Sequence, residues 1–360
     1  MSASPDPGEG AIDGKPPAVS VIIVNFNSGK RLADALRHLR GQTFADFETI
    51  VVDNGSTDES IALAKASGQA FRLIDAGANL GFAAANNLAA RSARGRWLAL
   101  LNPDAYADDR WLEALLDAAA RHPDIDAFGS MQVDATDPRR VDGAGDCFHV
   151  GGVYYRGGFG RTLDAIGFPD AFDDVMECFA PCAAAALYRA ETFAGLGGFD
   201  ETLFCYGEDV DFGFRLRLAG GRCAQVRDAL VRHEGSGVTG RRSDFTVYHG
   251  HRNRIWVAYK NVPGAIYWPT LPLRWAAHLA LFVKAALAGA GPAYLRAIRD
   301  GFLGVGAYRT ARRELQAGRR APLGELARAM AWNPVALLDR RAQLRKLPLT
   351  PPVAPPPAAR

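Results

Sequence analysis

Val51-Val52-Asp53-Asn54-Gly55-Ser56-Thr57-Asp58 decides the architecture of this chain. An apolar run over 48–52 ends on a carboxylate, and a cluster of turn formers follows. Two neighbouring segments repeat the arrangement. The β-branched run 19–24 leads to Asn25-Phe26-Asn27, and 97–101 leads to Asn102-Pro103-Asp104-Ala105. Polar residues at the C-terminal ends of buried strands stand where an open parallel sheet binds its ligands. The intervening segments have helical character. Leu32, Leu36 and Leu39 space a helix over 30–41, and helices are expected at 60–67, 82–93 and 109–121. A short strand over 71–74 precedes Asn79-Leu80-Gly81-Phe82. This alternation predicts an α/β fold with a mostly parallel sheet covered on both faces.

Length and charge set further bounds. The 360 residues suffice for one large domain with an appendage. The net charge of +3 conceals an asymmetry: residues 291–360 carry 13 Lys/Arg against 4 Asp/Glu, hence +9, and residues 1–290 carry 29 against 35, hence −6. A mildly acidic body suits a metal-using site, and a basic C-terminal part suits an anionic surface. Five scattered cysteines form no disulfide framework, and Cys178 and Cys182 lack a second metal-ligand pair, so the thiols read as buried and structural. Residues 1–17 are polar and read as a disordered leader without an export signal. The Pro/Ala-rich tail 348–360 reads as disordered too.

The alternation stops after Ala127. Residues 136–175, rich in Gly, Asp and aromatics, read as a long irregular excursion, which in compact domains is often functional. A strand at 183–188, short helices at 191–196 and 209–219, and a last strand at 224–231 follow. Beyond 262 comes a helical, basic region. The apolar stretch 271–290 is interrupted by Arg274, His278 and Lys284, too often to span a bilayer. Residues 294–313 read as one amphipathic helix, with Leu295, Ile298, Phe302 and Val305 on a face beside several arginines. A peripheral location on the cytoplasmic side of an anionic membrane is the expectation, with packing on the preceding domain or a homodimer as the alternative.

Taken together, the 21–27, 51–58, 79–82 and 101–105 segments and Tyr206-Gly207-Glu208-Asp209 resemble family 2 glycosyltransferases over about residues 18–260. The resemblance implies a glycosyltransferase A fold in a catalytic domain at 18–262, followed by a helical, basic region at 263–347. It implies an inverting enzyme that uses a nucleotide-activated sugar. In that reading Asn25, Asn27, Asp53, Asn79, Gly81 and Asn102 bind nucleotide, with Asp53 accepting from the base. Asn102-Pro103-Asp104 stands where the family has its Asp-x-Asp motif. Asp104 is then a ligand for Mg²⁺ or Mn²⁺, and Asn102, a neutral amide, makes at most a weaker contact. His233 would complete the metal shell. Asp209 would be the base, and Glu208 would bind acceptor or orient the loop. Each residue also has a plainer reading: Asp53 as a turn former, Asp209 as a carboxylate favouring its helix dipole, His233 as a hydrogen-bonded edge histidine.

The same segments look most like the rhamnosyltransferase branch. That suggests dTDP-L-rhamnose as donor and a cell-surface or lipid-linked glycan as acceptor, in cell-wall or polysaccharide biosynthesis. Galactofuranose or N-acetylhexosamine from a UDP-sugar stays open. A nucleotidyltransferase would need a longer Gly-rich phosphate loop than Asn25-Phe26-Asn27-Ser28-Gly29-Lys30 provides. A non-catalytic glycan-binding relative would be expected to lose Asp104 or Asp209, and both are present. The P-loop, dinucleotide and hydrolase-elbow motifs are absent, and no nucleic-acid partner is implied.

Overall fold

The computed structural model describes residues 15–168, 174–235 and 243–347. Most of the expected leader, the expected tail, and Arg241 and Arg242 lie outside these residues. The N-terminal half alternates β1 (Val19–Asn25), α1 (Lys30–Arg40), β2 (Phe47–Asp53), α2 (Ser60–Lys65), β3 (Arg72–Asp75), α3 (Phe82–Ser92) and β4 (Trp97–Leu101). Strands β4, β1, β2 and β3 lie side by side in that order, all parallel. The period of two along β1 divides its side chains between two cores. Val21 and Ile23 pack with Leu32, Leu36 and Leu39 of α1, whereas Ile22 and Val24 pack with Ala83, Ala85 and Ala89 of α3. Each fully buried Val, Leu or Ile contributes roughly 1.5–3 kcal/mol, so both faces must stay covered.

The register brings the strand ends together: Asn25 pairs with Asp53, and Asp53 with Asp75. The second half extends the sheet. After β5 (Ala105–Ala107) and α4 (Trp111–Arg121) come β6 (Ala127–Asp134) and β7 (Val141–Gly143), then a separate hairpin of β8 (Asp146–His149) and β9 (Val153–Arg156). Then follow β10 (Val175–Glu177), β11 (Ala185–Arg189), α5 (Ala190–Gly195), α6 (Glu208–Leu218) and β12 (Cys223–His233). The sheet order is β10-β12-β6-β11-β4-β1-β2-β3, with β11 antiparallel between β4 and β6. It is a mixed, mostly parallel sheet flanked by helices. All five thiols are free, and four are buried.

The C-terminal part comprises α7 (Asp244–Asn261), α8 (Gly264–Tyr267), α9 (Leu271–Leu287), α10 (Gly291–Gly304), α11 (Arg309–Ala317), α12 (Leu323–Ala329) and α13 (Val335–Asp339). Its residues Ile266, Tyr267, Leu326 and Met330 share a buried cluster with Phe148, Phe179 and Phe214. The chain then returns to the sheet edge, where Arg345 pairs with Glu177 of β10. One expectation fails here: 294–313 is not a single helix. It breaks at Gly304 into a 3-10 turn, Val305–Tyr308, before α11. Its buried face is Ala293, Tyr294, Ala297 and Gly301, because small residues let α10 close on α7. A Cβ at Gly301 would meet Ile255 at 2.6 Å.

Candidate active site

Two cavities adjoin at the C-terminal edge of the parallel strands. The first, about 390 Å³, is lined by Asn54, Asn79, Gly81, Asn102, Asp104 and His233 among others. The second, about 600 Å³, reaches Asp146, Glu208 and Asp209. Phe82, Asn102, Arg156, Cys205 and Tyr206 line both and so form the partition.

The first cavity is built from strand-end loops. Asn54 clasps the β3–α3 loop: its Nδ2 donates to Asn79 Oδ1 at 3.0 Å, and its Oδ1 accepts from Leu80 N at 2.9 Å. Gly81 has φ 84°, and a Cβ there would meet Phe204 Cδ2 at 2.5 Å, so only glycine fits this close approach. Not all expected nucleotide residues reach the lining, which does not include Asn25, Asn27 or Asp53. Asn25 is fully buried; its Nδ2 donates to Ser56 Oγ and Ser60 Oγ, both at 2.9 Å, and its Oδ1 accepts from Ser28 Oγ. Its side chain braces the β1 and β2 turns and leaves no surface for a ligand. Asn27 takes a left-handed φ of 48° and accepts from Thr57 N. Asp53 is half-buried, and its Oδ1 accepts from Ser56 N at 3.2 Å, the turn expected of Asp-Asn-Gly-Ser.

Asp104 and His233 come together, both buried, with His233 Nε2 3.3 Å from Asp104 Oδ1. Behind the imidazole, Nδ1 lies 2.7 Å from Asp142 Oδ2, and Arg156 pairs with the same carboxylate. Burial opposes charge on His233, but the Asp104 and Asp142 carboxylates outweigh it and hold the pKa above the ordinary histidine value. A carboxylate behind one ring nitrogen, with the second nitrogen turned to another ligating group, is the arrangement that orients a metal-ligating histidine. His233 Nε2 has no well-formed hydrogen bond, although buried. A hard carboxylate oxygen, an imidazole nitrogen beside it and a supporting carboxylate behind the ring fit a divalent cation.

The second cavity is shaped by a strained loop. Phe204 and Tyr206 adopt φ of 64° and 73°, and Gly207, at 90°, opens α6. Non-glycine residues in this region cost about 1–3 kcal/mol each and persist only where their surroundings over-determine them. Asn253 of α7 does so. Fully buried, its side-chain NH₂ donates to the carbonyls of Leu203, Cys205 and Tyr206 at 2.9, 2.9 and 2.7 Å. Arg252 is spent on the same loop: it donates to Leu203 O and lies over Trp256.

The loop delivers Glu208 and Asp209. Asp209 Oδ2 accepts from Ala183 N at 3.1 Å and Oδ1 from Val210 N at 2.8 Å, which fixes the carboxylate's orientation. Asp146 of β8 lies beside it with Cys182; their ligand atoms fall within 4.8 Å of one another. Burial, and then the charge of Asp209, push the Asp146 carboxyl well above its ordinary range. Glu208 is raised for the same two reasons. This trio has metal-ligating atoms, but Arg156 already supplies a half-buried cation. Its own pKa is raised, despite burial, by Cys182, Asp142, Asp146 and Asp209. Asp211 is enclosed by Lys260 at 2.7 Å, Arg215 at 2.8 Å and Asn261 at 2.7 Å, and the Lys260 and Asn261 contacts tie α6 to α7.

Asp142, Asp146 and Arg156 were not singled out from sequence. They come from the 136–175 excursion, where only its length and its Gly, Asp and aromatic content signalled function.

An open, mostly parallel sheet with polar loops and two adjoining cavities at one edge matches the glycosyltransferase A architecture that the sequence resemblance implied. Comparison with known proteins agrees. Residues 20–172 match the glycosyl transferase family 2 model. The N-acetylglucosaminyl-diphospho-decaprenol L-rhamnosyltransferase of Mycobacterium tuberculosis (strain H37Rv) is 28% identical over 298 residues, 74% of this chain and 91% of that protein. The O-antigen biosynthesis protein RfbC of Myxococcus xanthus is 30% identical over 228 residues, 61% of this chain and 17% of that protein. Among solved structures, GalNAc-T7 with UDP, GalNAc and Mn²⁺ superposes with a TM-score of 0.55 at 17% identity, over 69% of this chain and 48% of that one. S. aureus TarS 1–349 gives 0.51 at 18% identity, over 88% and 93%. The two structures speak for the fold alone. Over residues 20–172 the chain matches glycosyl transferase family 2, and over most of its length it is similar to L-rhamnosyltransferases.

Proposed function

We propose that this protein is an inverting, metal-dependent glycosyltransferase that moves L-rhamnose from dTDP-L-rhamnose to a hydroxyl of a lipid-linked glycan at the cytoplasmic face of a membrane. The observation that carries the reading is the pair of cavities with a shared wall, one holding Asp104 and His233, the other Asp209. A single displacement needs this layout, with leaving group and base on opposite sides of the reacting carbon. The similarity to an enzyme named for rhamnose transfer onto a diphospho-decaprenol supports the choice of sugar and acceptor.

In this reading the donor's nucleotide lies along Asn79, Gly81 and Asn102, with Asp53 at the base end. Asp104 and His233 would hold Mg²⁺ or Mn²⁺, which when bound offsets the charge of the departing diphosphate. Asp142 keeps the His233 ring turned toward that position. The acceptor hydroxyl enters the second cavity and gives its proton to Asp209. Its oxygen bonds to the anomeric carbon while the bond from that carbon to the diphosphate oxygen breaks. Arg156, on the partition, places a fixed cation where negative charge develops. Glu208, whose carboxyl burial pushes above its ordinary range, lines the same cavity as a contact for the acceptor.

The test is transfer itself. The purified protein, given dTDP-L-rhamnose, Mg²⁺ or Mn²⁺ and an N-acetylglucosaminyl-diphospho-polyprenol, should form a product heavier by one deoxyhexose in mass spectrometry. No transfer from any nucleotide sugar, with pyrophosphate released from a nucleoside triphosphate and a sugar phosphate instead, would identify a nucleotidyltransferase.

A further inference from the structure

Helix α9 is apolar and largely uncovered. Among its seventeen residues only Arg274 and Ala285 are buried. Its inner edge meets α10 through His278 Nδ1 and Tyr294 Oη, 3.0 Å apart, and through Phe282 against Tyr294. Its outer face presents Trp275, Leu279, Val283 and Leu287, which are 52%, 64%, 48% and 86% exposed. These positions recur every four residues and so lie along one stripe. Trp275 stacks on Phe302 of α10 with ring centroids 5.1 Å apart, and Leu295 and Leu303 continue the surface onto that helix. Solvated monomers rarely expose so many large apolar side chains side by side.

We infer that this face rests on the anionic surface of a phospholipid bilayer, and that the acceptor enters the second cavity from that plane. Three observations select this occupant. Charge complements it: residues 271–313 expose Lys284, Arg296, Arg299, Arg309 and Arg313 against a single, half-buried Asp. Arg299 shares the outward stripe of α10 with Leu295, Phe302 and Leu303 by helical spacing. Dimensions suit it, because seventeen helical residues reach about 25 Å, short of the ~30 Å hydrocarbon core, so α9 lies along the interface and does not cross. No helix among the described residues is long and apolar enough to cross a membrane. Continuity completes the case. Leu281, Lys284 and Ala285 of this same helix line the cavity that ends at Glu208 and Asp209. A sugar attached to a membrane lipid can therefore reach the base while its chain stays in the leaflet. Only that last step rests on the transferase reading; the membrane contact does not.

The test is co-sedimentation of the full-length protein with vesicles of phosphatidylglycerol and phosphatidylcholine, without donor or acceptor. The parent should pellet with them, and less so with phosphatidylcholine alone or at high salt. L279E/V283E places two charges on the buried side of the interface and should weaken partitioning about tenfold or more. Neither residue lines a cavity, so transfer to a short-chain, water-soluble acceptor should be unchanged. That keeps a failure of docking distinct from a failure of the transferase reading. If the double variant melts early, Leu287→Glu, at the most exposed position, gives the same comparison. Vesicle binding by the variants equal to the parent's, or none by the parent, overturns the inference. So does a parent dimer in lipid-free buffer that L279E/V283E converts to monomer, because a second copy would then cover the face.

Discussion

At the scale of single residues, the site depends on carboxyl groups whose surroundings assign them different work. Asp209 is held by two backbone N–H groups and faces the larger cavity, so Asp209→Asn should preserve shape and donor binding while removing the base. We expect kcat to fall about 10²–10⁴-fold with donor KM nearly unchanged. Turnover within a few-fold of the parent would take Asp209 out of the mechanism. Asp142 acts one step back, through His233. Asp142→Ala should weaken Mn²⁺ binding about 10–100-fold, read by calorimetry on the folded protein, and unchanged affinity would return His233 and Asp142 to a purely structural pair. Asp146 gives a signature in pH. Its folded-state pKa lies above the unfolded value near ~3.9, so between the two the folded chain binds more protons. Stability then falls as pH rises through that window. Asp146→Asn removes the penalty, and its Tm should gain on the parent's from about pH 4 upward. A Tm difference independent of pH would contradict the assignment. Sequence showed Asp104, Asp209 and His233 because motifs mark them. Asp142, Asp146 and Arg156 were illegible, because their role arises where a long excursion folds back over distant strand ends.

At the scale of elements, local physics carried far. Strands β1 to β4 and helices α1 to α3 lie within two residues of their expected bounds, since apolar periodicity and turn formers decide them locally. The single helix expected over 294–313 failed because packing won over pattern. Gly301 and Gly304 let α10 approach Ile255 and Trp256 of α7, which turns small residues inward and Leu295 and Phe302 outward. The 204–207 loop was equally hidden, because its left-handed residues are imposed by Asn253 from α7. Asn253→Ala would leave buried carbonyls without a donor. We expect about 1–3 kcal/mol lost in chemical denaturation, with a fall in kcat as the Glu208-Asp209 turn loosens. Lost stability with full activity would mean that the loop needs no clamp.

At the scale of the molecule, the C-terminal region is not a detachable appendage. Ile266, Tyr267, Leu326 and Met330 complete the core around Phe148 and Phe179, and Arg345 caps the sheet edge. Ending the chain after Val262 should therefore uncover that core and abolish cooperative thermal unfolding in circular dichroism. A well-folded, active 1–262 fragment would refute this view. Sequence exposed the basic charge of this region but not its packing, because the contacts join segments far apart along the chain. The central claim is that one displacement links the two cavities, with Asp209 taking the acceptor proton. The anomeric configuration of the transferred sugar, read by proton NMR on the product, tests it most directly. A configuration opposite to that of the donor is the predicted result, and the donor's configuration retained in the product would contradict it.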